Sequence, residues 1–362
     1  MRAAMPGAMK AVVAYAPGDY RYEEVEVPRA GRDEVIIKVE ACGICAGDIK
    51  AFQGGPRFWG GGGNPCYIEP PMIPGHEFIG RVVEIGEQST NSAGLKLGDR
   101  VAAEQIVPCG SCRYCRNGHY WLCQPHVVFG FKKHLNGGFA EYVRLPGRAI
   151  VHQVPTHLPL EAAVLIEPYS CSMHAIDRAG IGPADVVVIS GAGPLGLGMI
   201  AAARLRKPAQ LIALDLHDFR LDLAKQLGCD LAINPRTEDA VSIINDLTDG
   251  YGCDVYIEAT GYPASVTQGI QMIKKAGRFV EFGVFNDQVT CDWSLIGDGK
   301  ELDILGVSLS PHCYPKVIRG IAAGELPTAG VVTHKYGFAE FEQALATCLK
   351  GEDAVKVVLV PD

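Results

Sequence analysis

The stretch Asp185-Val-Val-Val-Ile189, followed closely by Gly191-Ala-Gly193-Pro194-Leu195-Gly196 and the helical run Leu197 to Leu205, constrains the fold more than any other part of this chain. A strand this apolar is buried on both faces, which calls for a parallel sheet covered by helices above and below. Each glycine of the turn has its own reason. Gly191 permits a tight turn, Gly193 lets the backbone approach a pyrophosphate, and Gly196 lets the helix pack on the strand. The helix N-terminus offers free N–H groups and the positive end of its dipole to phosphates. Pro194 suits the first helical turn, where no N–H is missed. Asp215 ends the next strand, nineteen residues past Gly196. Its carboxylate accepts from ribose hydroxyls and repels a 2′-phosphate, which favours NAD over NADP. Arg220 reads equally as an exposed helix charge or as a lid on the adenine. Leu195 within the turn, and Val284 just past a later strand, complete the predicted cofactor-binding set.

The same alternation continues along the chain. Strand Leu211 to Leu214, helix Arg220 to Leu227, strand Val255 to Glu258, helix Ala264 to Lys274 and strands Arg278 to Gly283 and Asp303 to Gly306 spell βαβ units. The first half has a different texture. Segments such as Glu34-Val-Ile-Ile-Lys-Val-Glu40 and Gly80-Arg-Val-Val-Glu-Ile85 are short alternating strands between Gly, Pro and Asp turns, which predicts a β-rich, barrel-like domain. A helix over Tyr314 to Ala323 and a strand over Val355 to Val360 read as additions to that first domain. The expected class is therefore α/β. A β-rich catalytic domain over 1–168 and 310–362 is interrupted by a Rossmann, doubly wound parallel sheet over 169–309. Met1 to Ala8 reads as a short, disordered extension.

Four thiols follow the pattern C-x2-C-x2-C-x7-C at Cys109, Cys112, Cys115 and Cys123. Such spacing wraps one tetrahedral Zn²⁺, and an all-thiolate shell leaves no open position, so this metal braces a lobe and does no chemistry. The remaining cysteines, of 13 in all, are scattered and give an odd total, which suits a reducing cytosol better than a disulfide scaffold. A net charge of −8 without a long basic run argues against nucleic acid or an anionic membrane as partner. No apolar run reaches bilayer length, and the N-terminus lacks a secretory h-region, so the expected location is cytoplasmic.

A second metal-type set is dispersed. Cys45 lies in Gly43-Ile-Cys45-Ala-Gly-Asp48, His76 and Glu77 follow in Gly75-His-Glu77, and Glu167 precedes Pro168. Thiolate, imidazole and carboxylate bind zinc while leaving room for a substrate oxygen, as catalytic sites do. Asp48 is placed to accept the other ring N–H of His76. Taken alone, His76 is as well explained by a structural role and Glu167 by a helix N-terminal charge.

These motifs together, GIC-x-x-D, GHE, the four-cysteine lobe and GAGPLG with Asp215, resemble those of the zinc-dependent medium-chain alcohol dehydrogenases, from Met9 onward. The resemblance implies a GroES-like catalytic domain beside the Rossmann domain, with chains assembled as homo-dimers or homo-tetramers. It implies two Zn²⁺ per chain and NAD. Cys45 and His76 match the family's catalytic-zinc ligands, Glu77 is a ligand or near-ligand, and Glu167-Pro168 resembles the sorbitol and threonine dehydrogenase branch. Glu77 and Glu167 both remain candidates for the resting ligand. The implied chemistry is hydride transfer from a secondary hydroxyl of a small polyol to NAD.

Two departures stand out. Gly47 replaces the usual Ser or Thr of the proton relay, and Lys50 stands where a His often completes it; a held water near Glu77 or Glu167 is the favoured substitute, ahead of a Lys50 of lowered pKa. The loop between Cys45 and His76 is extended and carries Phe58, Trp59, four glycines and polar Gln53, Arg57 and Glu69. Its CAGDIKAF and FWG segments are most similar to dehydrogenases of erythritol and threitol. A threonine or simple secondary-alcohol dehydrogenase is the rival on the same scaffold. A zinc-free, NADPH-dependent enone reductase is opposed by the cysteine lobe and Asp215, and a non-catalytic zinc-ribbon protein by the net charge and the paired motifs.

Overall fold

The computed structural model describes residues 5–89 and 94–362. Of the extension expected over Met1 to Ala8, residues 1–4 lie outside the described residues. Gly7 is already held, its carbonyl accepting from Val27 N at 3.2 Å, and Ala8 opens the first strand. Two compact units form. Unit 1 comprises 1–167, 314–322 and 332–362; unit 2 comprises 168–313 and 323–331.

In chain order the strands are β1 Ala8–Ala16, β2 Asp19–Glu26, β3 Val35–Gly43, β4 Glu77–Ile85, β5 Arg100–Ala103, β6 Tyr142–Leu145, β7 Val151–Gln153, β8 Val186–Ser190, β9 Gln210–Leu214, β10 Leu231–Ile233, β11 Cys253–Glu258, β12 Ile273–Glu281, β13 Asp303–Gly306, β14 Val332–Gly337 and β15 Lys356–Val360. Unit 1 is organised around β3, whose Val and Ile side chains are fully buried. Its first half pairs with β6 and its last two residues with β15, while β4 runs antiparallel along its other edge. Register shifts between Ile36/Ile37 and Val39/Ala41 bend the strand so that it can serve both partners. That register places Gly43 opposite Glu77 and opposite Val358 as well. Cys45, His76 and Lys356 thus lie within two residues of one meeting point of three strands.

In unit 2 six parallel strands run in the order β10-β9-β8-β11-β12-β13. Strand order reverses between β8 and β11, the switch point at which open parallel sheets receive ligands. Val188, Ile212, Leu214, Tyr256 and Phe279 form the apolar core on one face. One boundary differs from expectation. The helix expected to run to Lys274 spans Pro263–Met272, and β12 begins at once with Ile273. Ile273 is buried and pairs with Cys253, so a sheet partner overrides the helical pattern there.

Candidate metal and cofactor sites

Cys45 caps the helix Ala46–Phe52. Its backbone is extended (φ −89°, ψ 155°), its Sγ accepts from Gly47 N at 3.4 Å, and Asp48 Oδ2 accepts from Cys45 N at 2.9 Å. The C-x-x-D motif is therefore a helix start as well as a donor set. Cys45, His76 and Glu77 each bring a ligand atom within 4.8 Å of the other two. Glu77 fits only because residue 43 has no side chain: a Cβ there would lie 2.1 Å from Glu77 Oε2. Asp48 Oδ1 stands 3.8 Å from His76 Nδ1, an ion-pair separation too long for the expected hydrogen bond. Both facing atoms are buried without a hydrogen-bond partner among the described residues.

Glu167 is not among the three gathered ligands; it is buried, and its Oε1 accepts from Gln105 Nε2 at 2.6 Å. The local sequence singled out neither Gln105 nor the second unforeseen residue, Lys356. Lys356 Nζ donates to Glu77 Oε2 at 2.6 Å and to Ile44 O at 3.0 Å, with both charged side chains 2–3% exposed. Burial pulls the Lys356 pKa down, but the Glu77 carboxylate, with Cys45 and Glu167, more than restores it and keeps the ammonium protonated. At His76, burial is likewise outweighed by Cys45 and Asp48, which hold the imidazole well above its ordinary pKa, whereas burial pushes the Cys45 thiol up. Cys45, His76 and Glu77 bring one sulfur, one nitrogen and one oxygen to the same point. A sulfur, nitrogen and oxygen donor set of this kind suits zinc.

Lys50 lies half-buried in the last turn of the Cys45-capped helix. At Gly47 a Cβ would meet Cys45 Sγ at 3.8 Å and the Phe58 ring at 3.9 Å, so the extended loop reaches the metal site. Phe58 stacks on Phe131 with centroids 5.6 Å apart, and Phe131 lies 5.6 Å from the His76 ring. Trp59 Nε1 donates to Ala51 O at 2.7 Å and pins the loop. Phe58 is thus packed in a cluster with Phe131, and it is Phe131, outside the loop, that lies beside the imidazole. Glu69 is paired with Lys132 at 3.0 Å.

The four cysteines of the lobe also converge. Backbone amides of Cys112 and Cys115 donate to the sulfurs of Cys109 and Cys112 at 3.3 and 3.5 Å, and Cys109 N donates to Cys123 Sγ at 3.2 Å. Amides of Ser111 and Cys112 bring the Cys109 thiol down to about 6, while burial pushes Cys115 up to about 12. A cation is what allows all four to ionise together. Cys112→Ser is expected to cost one zinc per chain and lower the apparent melting temperature by roughly 10 °C, since structural zinc contributes folding energy. Metal analysis with scanning calorimetry checks this. A variant that kept its stability and lost only turnover would contradict a bracing role.

In unit 2 the glycine turn has the form its sequence predicts. Gly191 has φ +102°, a Cβ at Gly196 would lie 1.7 Å from Gly191 O, and the Cβ position of Gly193 faces open space, with nothing within 4 Å. Pro194 begins the helix Pro194–Arg204, whose N-terminus has no side-chain cap. That leaves a cradle with room for phosphate and amides to meet it. Leu195 O accepts from Ser172 Oγ at 2.8 Å. Asp215 Oδ2 accepts from Ala192 N at 2.7 Å, and Oδ1 from His217 N at 3.0 Å, which fixes the carboxylate beside the turn. Arg220 is half-buried, its guanidinium 5.5 Å from the Phe219 ring centre, and Val284 is exposed past β12.

The alcohol dehydrogenase GroES-like domain family matches residues 31–156, and the zinc-binding dehydrogenase family matches residues 194–323. Erythritol/L-threitol dehydrogenase of Mycolicibacterium smegmatis is 48% identical over 99% of both chains. L-threonine 3-dehydrogenase of Pyrococcus horikoshii is 38% identical over 97% of this chain and 98% of its own. An alcohol dehydrogenase of E. coli CFT073 complexed with NADH superposes with a TM-score of 0.84 at 27% identity, covering 98% of this chain and 100% of that one. Among the described residues no helix is long and apolar enough to cross a membrane.

Proposed function

This chain belongs to the zinc-binding medium-chain alcohol dehydrogenases, and from that premise we propose that it oxidises a secondary hydroxyl of a small polyol, with erythritol or L-threitol as first choice and erythrulose as product. The end-to-end 48% identity to an erythritol/L-threitol dehydrogenase is the observation that carries the substrate reading. Cys45, His76 and Glu77 would hold a zinc ion, which when bound would supply a Lewis acid to lower the pKa of a substrate hydroxyl. The glycine turn with Asp215 would hold NAD, which when bound would supply the hydride acceptor.

The protein's own residues do the rest. Lys356 holds one oxygen of Glu77 and offsets its charge, leaving the other oxygen for the metal or a proton. Gln105 orients Glu167, the second carboxylate, for proton transfer through water, because Gly47 offers no hydroxyl for a relay. Asp215, tied to the turn amide, discriminates against a 2′-phosphate. None of the thirteen cysteines is in a disulfide, in keeping with the reducing, cytosolic setting read for this chain. We read the working form as a homo-dimer or homo-tetramer.

Initial rates of NAD reduction over erythritol, both threitols, xylitol, sorbitol, threonine and 2-propanol test this reading, each repeated with NADP and after chelation. The expected outcome is a tetritol rate that requires zinc and prefers NAD. Activity confined to threonine or 2-propanol would discard the polyol substrate and keep the zinc chemistry.

A further inference from the structure

Unit 2 contains a buried carboxylate that the proposed chemistry does not use. Glu258 ends β11 at the carboxyl edge of the sheet, has no exposed surface, and forms no ion pair with a lysine or arginine among the described residues. A carboxylate taken out of water is costly unless hydrogen bonds replace those it loses. Here a single turn provides them. Oε1 accepts from Thr260 N at 2.8 Å, from Gly261 N at 3.1 Å and from the Thr260 hydroxyl, while Oε2 accepts from Gly261 N at 3.1 Å.

Three strand ends share that turn. Ala259 N donates to Ser190 O, the end of β8, at 2.9 Å, and Phe282 N, just past β12, donates to Glu258 O at 3.0 Å. The packing has no slack. A Cβ on Gly283 would lie 2.1 Å from Glu258 Oε2, and one on Gly191 would lie 3.0 Å from Thr260 Cγ2 and 3.1 Å from the Ala259 carbonyl carbon. The first glycine of the phosphate turn therefore rests on the segment that Glu258 grips.

We propose that Glu258 is a positioning residue for the dinucleotide: its carboxylate ties the 259–261 turn against the ends of β8 and β12 and so sets the rim on which the glycine turn presents its amides. This role rests on the dinucleotide reading given above. The test is Glu258→Gln, in which one oxygen becomes an NH2 that opposes the Gly261 amide. NADH affinity of the zinc-loaded protein, measured by fluorescence titration, is expected to fall about tenfold, with the KM for NAD rising and kcat held within about twofold. Zinc content stays the same, and the Thr260 and Gly261 amides exchange hydrogen faster.

Thr260→Val removes one donor to Oε1 at nearly constant volume; it is expected to weaken NADH about threefold, and it decides the question if Glu258→Gln does not fold. Unchanged NADH affinity in the folded glutamine variant, or in Thr260→Val where that variant is unfolded, overturns the proposal. A loss of zinc and kcat in proportion to affinity overturns it too. The wild-type titration comes first: a chain that binds neither NADH nor NADPH refutes the dinucleotide reading itself, and the role of Glu258 falls with it.

Discussion

Cys45→Ser is expected to reduce NAD-linked turnover by about 10³-fold or more, through loss of the metal that activates the hydroxyl. Zinc per chain should fall from two to one, because the four-cysteine lobe keeps its own donors. The substitution isolates metal binding from folding. Serine is a favoured helix cap, and its hydroxyl can accept from the Gly47 amide that now donates to the Cys45 sulfur at 3.4 Å. Secondary structure and melting behaviour should therefore change little. Metal analysis and initial rates on one preparation give the answer, and full activity in the serine variant would refute the assignment of this metal site.

Lys356→Met should destabilise unit 1 strongly. It leaves the Glu77 carboxylate, itself about 2% exposed, without its ammonium. Removing one member of a buried pair costs about 3–5 kcal/mol, because the remaining charge has lost its compensation. An apparent melting temperature lower by roughly 10 °C is expected from that loss. Adding Glu77→Gln should restore part of it, since the uncompensated charge is then gone, and a double-mutant cycle on the four proteins reads the coupling directly. Strict additivity would show that the pair contributes nothing as a pair.

The contrast between these residues shows what local sequence can reveal. The glycine turn and the cysteine lobe were legible because each is a short, contiguous pattern whose spacing is its geometry. Cys45 and His76 stand 31 positions apart, and it is the β3–β4 register that brings them together, so only the family resemblance could pair them in advance. Lys356 lies 279 residues from Glu77 at the start of an otherwise apolar strand, where a lysine carries no local sign of its partner. Gln105 is hidden for the same reason. Strand Val332–Gly337 and helix Phe341–Lys350 went unread, although Phe341, Ala344 and Leu345 carry a helical spacing of buried positions. The helix expected to end at Lys274 shows the opposite failure: a local helical pattern ran on past the point where β12 had already claimed Ile273.

The late position of β15 also sets an order of events during synthesis. Translation delivers about 5–20 residues per second, and domains fold as units while the chain emerges. The cysteine lobe is contiguous, so its zinc can be taken up soon after Cys123 has left the ribosome. Glu77 must wait for the 279 residues that separate it from Lys356, on the order of a quarter to a full minute at those rates. During that interval all of unit 2 has been made. Until the closing strand arrives, Glu77 is without Lys356 and the end of β3 at Cys42 and Gly43 is without β15. The last hydrogen bonds to form in its sheet are those that deliver the counter-ion.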